Sequence, residues 1–208
     1  MLDDLSEFHK DMVKEGIGIA ITHAATALSK LFNDVVDLEV PKMEIINKEE
    51  FLSCIYNLDD RFTVGFDILE GISGIAILQF SKESTLTLSA LLMGLAPGDV
   101  TELDELGESA IMEVGNIMVS VHTDILSILL KESVSLSPPR HYKNIDELLN
   151  DINRPELKET NRIILFKTRF YNENYGIETF FYLIPSFGSI EKLIKSLEEE
   201  LERYGYGN

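Results

Sequence analysis

The chain reads as an α/β domain in which one order of elements is written twice around a shared sheet of about six mainly antiparallel strands. Three observations predict this. Two long helical segments open two halves, about 1–97 and 98–208. Each segment leads into a stretch ending in proline, then a short helix, two apolar strands and a last helix. Overlaying the halves at an offset of 98 sets Val36, Leu38 and Pro41 on Val134, Leu136 and Pro139, and Glu49 on Glu147. With 208 residues, 45% of them hydrophobic, there is apolar mass for one packed core shared by both halves, 1–208 forming a single domain.

Residues 5–32 place Leu5, Phe8, Met12, Ile19, Ala20, Leu28 and Leu31 at steps near three or four, which predicts a helix. In 35–41 β-branched residues alternate with charges up to a proline, which predicts a strand. A short helix is expected over 48–56, strands over 61–69 and 74–81, and a helix over 83–93, before Pro97, Gly98 and Asp99 punctuate the chain. The second half follows the same order. Thr101, with Asp104 three positions on, offers an N-cap for a helix reaching about Lys131. Residues 133–139 are strand-like and 144–151 form a short helix. Strands follow over 162–170 and 176–184, and 189–204 is the closing helix.

Acidic residues number 36 against 18 basic, a formal charge of −18, so nucleic-acid phosphates and anionic membranes are repelled and a basic or mixed protein partner is favoured. Cys54 is the only cysteine, which excludes an intramolecular disulfide and a thiolate cluster. The start MLDDLSEF has neither the basic nor the apolar region of a signal peptide. The longest nearly apolar stretch, 17–28, is too short to span a bilayer, so the cytoplasm is expected. The sequence GIGIAI at 16–21 begins like a dinucleotide loop but sits inside a helix and lacks the third glycine. The four histidines show no metal-ligand spacing, so no metal or cofactor site is expected in this chain.

The chemistry concentrates in residues 109–118, SAIMEVGNIM, where Gly115 and Asn116, two poor helix formers, stand inside an otherwise good helix. Ser109, Glu113 and Asn116 lie at i, i+4 and i+7, one polar stripe. Ile111, Met112, Val114, Ile117, Met118 and Val121 lie mainly on other faces and can meet the core. The stripe should be exposed, with Gly115 leaving room for a second surface to approach. Twenty-two residues separate Asn116 from Pro139, completing a pattern Ser/Asp-x3-Glu-x2-Asn-x22-Pro. Average residue usage gives it by chance in on the order of one chain per few hundred. The first half has the same frame in Asp11, Glu15 and Pro41, but with Gly18 in the place of the asparagine.

This pattern resembles the signature of the CheC/CheX/FliY family of chemotaxis phosphatases. The likeness covers most of the chain, and the length and the phrase HAATALSKL at 23–31 look CheC-like. It implies that the chain hydrolyses the phospho-aspartate of a CheY-type response regulator, whose magnesium would belong to the regulator. Such hydrolysis needs a water held in line with phosphorus, and positioning dominates its catalysis. The Asn116 amide can both accept from and donate to that water. Glu113 would accept a charge-assisted hydrogen bond from the regulator's lysine and fix the docking. Ser109 and Pro139 play supporting parts, Pro139 as a stop at the sheet edge. Gly18 leaves the first half-site weak or dead. In relatives a short second-half helix engages a CheD-like deamidase, and Asp146, Glu147 and Leu148 fall in the comparable place. A monomer is expected. The rival reading is a non-catalytic adaptor that binds the phosphorylated regulator or a CheD-like protein.

Overall fold

A computed structural model describes residues 6–55, 58–157 and 162–203. Among these residues seven strands form one sheet with every pairing antiparallel: β1 (Asp37–Leu38), β2 (Lys42–Asn47), β3 (Arg61–Ile68), β4 (Gly74–Ser81), β5 (Arg140–Tyr142), β6 (Arg162–Asn172) and β7 (Ile177–Pro185). The helices are α1 (Glu7–Phe32), α2 (Lys48–Cys54), α3 (Lys82–Leu92), α4 (Glu105–Leu130), α5 (Ile145–Ile152) and α6 (Phe187–Arg203).

The strand order is β2, β6, β7, β4, β3, β5, with β1 also on β6. It is symmetric about the central β4–β7 pair. The hairpin of each residue range (β3–β4, β6–β7) is flanked by a strand from the other, β5 on β3 and β2 on β6. Neither range completes its part of the sheet alone.

The central strands are apolar without alternation because both their faces are covered. Val64, Phe66, Ala76, Leu78, Phe166, Phe181 and Leu183 pack in one cluster with residues of α1, α4 and α6. Ile75, Ile77, Ile163, Leu165, Tyr182 and Ile184 pack on the other face with residues of α2 and α5. The result is three layers.

The long helices are set by their caps. Ser6 accepts from the His9 backbone N–H at the start of α1, and Asn33, at φ 52°, closes it in the left-handed conformation. Asp104, rather than Thr101, caps α4 by accepting from the Gly107 N–H. The face that α1 buries is Val13, Ile17, Ala20, Ile21, Ala24 and Leu28, whereas Phe8, Ile19 and Leu31 are exposed and Leu5 lies outside the described residues. Tyr56 and Tyr204, at the ends of two expected helices, also lie outside them. By length and mean hydropathy (1.3) α4 could cross a membrane; here its apolar face packs against the sheet, α1, α3 and α6.

The prolines do not end strands as expected. β1 and β2 run along the same partner, β6, but Leu38 pairs with Phe170 and Lys42 with Lys167, so one extra residue is accommodated around Val40–Pro41. The same slip occurs at Pro138–Pro139, between the Leu136–Ile68 bridge and β5. Proline has no N–H for the ladder, and the chain answers with a bulge and resumes pairing.

β5 pairs with β3 so that Arg140 stands opposite Gly65 and the Tyr142 ring, from two positions on, lies over that glycine, where a Cβ would overlap it. Gly65→Ala is therefore expected to cost about 1–3 kcal/mol, read as a lowered midpoint in urea at unchanged slope.

His122 sits in the α1–α4 interface, 1% exposed and edge-on to Phe181. Burial pushes its pKa down to about 4, only partly opposed by the Ala20 carbonyl. The unfolded chain takes up this proton first as pH falls. Stability should thus be full above about pH 6.5 and be lost progressively toward pH 4, by up to roughly 3 kcal/mol. His122→Leu should flatten the difference in urea midpoint between pH 7.5 and pH 5; an unchanged difference would assign it to other groups.

Candidate functional site

α4 turns its apolar residues inward and leaves an outward ridge. Ile111, Val114, Met118, Val119 and His122 are buried, while Ser109 and Glu113 are exposed and Asn116 is half-buried. The helical spacing thus brings the three expected side chains onto one ridge, with Cβ atoms of i, i+3 neighbours about 5–6 Å apart.

The Glu113 carboxylate makes no hydrogen bond or ion pair among the described residues. The Asn116 carbonyl accepts only a long contact, 3.5 Å, from the Ser120 hydroxyl, and the amide nitrogen has no partner among the described residues. Ser109 differs, because its hydroxyl donates to the Glu105 carbonyl at 2.8 Å and is satisfied within its own helix. Pro139 stands half-buried at the bulge before β5, shaping the sheet edge. Between them the ridge residues offer a free acceptor and an amide able both to donate and to accept, on a helix locked by packing along its length.

Gly115 does not open this ridge. It is buried, and a Cβ there would lie 3.4 Å from Leu78 and Phe66, an ordinary contact with the sheet. The close approach it permits is of helix to sheet.

The first frame lies elsewhere. α1 and α4 run antiparallel: Gly16 approaches Leu129, while Leu28 and Phe32 line a small void with Val114 and Met118. Equivalent positions therefore sit at opposite ends of the helix pair. Asp11 and Glu15 are exposed, Asp11 pairing with Lys14 at 3.3 Å. Gly18 borders open space, and Pro41 is half-buried at its bulge. Beside Glu15 lies a hollow of about 310 Å³ whose apolar wall includes Leu197 and Leu201 of α6, which runs six residues longer than α3.

One residue that spacing could not single out is His141. The fold stacks it on Phe62 and brings its Nδ1 within 3.8 Å of Glu108 on the first turn of α4, and burial lowers its pKa. It lines a cavity of about 550 Å³ with Arg61, Lys82 and Lys143. Among the described residues no group of three or more His, Cys, Asp or Glu is placed to hold a metal ion. On α5, Leu148 is fully buried and Glu147 serves the Asn144 cap, accepting from the Asn144 amide and the Lys143 N–H, so of the expected trio Asp146 alone is a free surface group.

No family model matches the chain. Among curated proteins it is similar to the "Flagellar motor switch phosphatase FliY" of Bacillus subtilis, at 28% identity over 67% of this chain. It is also similar to the "CheY-P phosphatase CheC" of the same organism, at 23% identity over 97% of this chain. The chain spans about a third of that FliY (36%) and nearly all of that CheC (99%). Among solved structures it resembles Thermotoga maritima FliY with a TM-score of 0.73 at 24% identity, covering 95% of this chain and 99% of that one. It also resembles the CheX–CheY–BeF3–Mg2+ complex of Borrelia burgdorferi, with a TM-score of 0.56 at 15% identity, covering 80% and 96%.

Proposed function

The chain belongs to the CheC/CheX/FliY family, and from that premise we propose that it is a cytoplasmic, monomeric phosphatase acting on the phospho-aspartate of a CheY-type response regulator. The observation that carries this reading is the pair Glu113 and Asn116: among the described residues, a carboxylate without a partner and an amide with only one long contact, one turn apart on the outward ridge of a packed helix.

The ridge would enter the mouth of the regulator's phosphorylation site. Glu113 accepts from the regulator's lysine and sets the register. Asn116 then holds a water in line with phosphorus, its carbonyl accepting one O–H and its N–H2 donating to the water oxygen. The water oxygen bonds to phosphorus and the aspartyl oxygen leaves with its electron pair. Orthophosphate and the free carboxylate result, the water's protons passing to phosphate and solvent. The regulator's magnesium would offset charge on the phosphoryl oxygens. Glu113 needs no role as a base.

In the first half Gly18 supplies no amide, so Asp11, Glu15 and Pro41 form a frame without the catalytic group, and the two halves, about 1–97 and 98–208, share one domain with one working site. The adaptor reading parts from this one at Asn116, which a binder does not need.

The regulator charged with beryllofluoride, a mimic of the phosphoryl group, tests the partnership. Calorimetric titration should show it binding at least about tenfold more tightly than the uncharged regulator. Equal affinity for the two forms would overturn the reading.

A further inference from the structure

The outward ridge of α4 carries apolar groups as well as polar ones. Leu106, two turns before Glu113, is 64% exposed, and Ile117, one turn after it, is half-buried. Neither belongs to the core clusters or to the partly buried residues packed against them. On α1, Phe8 is 60% exposed two turns before Glu15, and Ile19 is 44% exposed one turn after it. Positions 8 and 106, and 19 and 117, stand at the same offset of 98 as the two glutamates.

A single exposed apolar side chain needs no explanation. The same bracket on two separate ridges, at the same spacing around an exposed glutamate, does. The outward positions farther along are polar: Thr22 and Thr26 on one helix, Ser120 and Asp124 on the other. Exposed large apolar side chains return about four turns past the glutamates, at Leu31 and Ile128.

We propose that Leu106 and Ile117 are the apolar anchors by which the phosphorylated regulator seats on α4, one on each side of Glu113. This rests on the reading above, and it adds the residues that set affinity. The occupant is a globular domain with a recessed phospho-aspartate, a lysine beside it, and apolar surface around the mouth. Two features favour that occupant. The anchors are continuous with the Glu113–Asn116 pair on one ridge, and exposed Glu105 and Glu113 are there to meet a lysine. Exposed charge steers an encounter but holds it weakly, whereas buried apolar anchors slow dissociation. Eleven residues of helix separate the anchors by about 16 Å, a span fitting the centre of an ordinary interface. The Asp104 cap and the packing of α4 hold both in register before contact. Leu106 and Ile117 touch no reacting atom; they seat the regulator on the ridge.

The test compares Leu106→Ala, Ile117→Ala and the double variant with the unaltered chain. The readouts are Kd for the beryllofluoride-charged regulator, KM and kcat for the phosphorylated one, and the melting temperature. Each single change should raise Kd and KM about tenfold while kcat stays within about twofold. Leu106→Met should restore binding. Leu69→Ala, 58% exposed on the β3–β4 turn, should change nothing. A double variant whose Kd stays within about twofold of the unaltered chain would overturn the proposal, as would a fall in kcat at constant Kd. Binding without accelerated hydrolysis would sink the phosphatase reading alone, the Kd ratios still deciding the anchors. No binding by the unaltered chain would overturn both.

Discussion

Asn116→Ala is expected to slow hydrolysis of the phospho-regulator by well over tenfold, more than about 1.4 kcal/mol of barrier, while Kd for the charged regulator stays within about twofold. The asymmetry follows from what the amide touches. Among the described residues it accepts only the 3.5 Å contact from Ser120, so its removal strands no buried partner there. On the proposed reading it serves the attacking water in the complex, an interaction that matters in the transition state more than in the bound ground state. Because asparagine is a poor helix former, the alanine variant should melt at the same temperature or slightly higher. Parallel loss of binding and turnover would contradict the water-positioning role. A clear drop in melting temperature would show that the amide serves the fold.

The second large effect is the converse. Glu113→Lys should raise Kd and KM by well over tenfold, because it removes the acceptor for the regulator's lysine and sets a like charge against it. Glu113 is exposed and has no partner among the described residues, so the reversal leaves the fold intact. At saturating regulator, turnover should recover most of its value. An unchanged KM would remove Glu113 from the docking surface.

The ridge itself was legible in the sequence, since a spacing of i, i+4 and i+7 sets Ser109, Glu113 and Asn116 on one face wherever α4 is helical. β3, β4, β6 and β7 were legible as apolar runs bounded by turns, and their bounds moved by at most two residues. The strand breaks at Pro41 and Pro139 were not. A proline reads locally as a stop, whereas a neighbouring strand can carry the ladder past it by a bulge, and β2 and β5 exist only because β6 and β3 lie beside them. The buried face of α1 was not legible, because Ile17 and Ile21 lie on one side of the helix and Ile19 on the other, and periodicity alone does not choose between them. Gly115 was assigned to an open docking surface, while the sheet that covers it is formed by residues distant in sequence. The same holds for His122, whose depressed pKa comes from burial among α1, α4 and Phe181.

The most direct test of the central claim follows phospho-regulator decay with the chain present at about one part per hundred. The account predicts accelerated decay, with orthophosphate released many times in excess of the chain, and near-basal decay with Asn116→Ala at the same occupancy. Decay unchanged by the unaltered chain, with the complex shown to form, would contradict it and leave an adaptor.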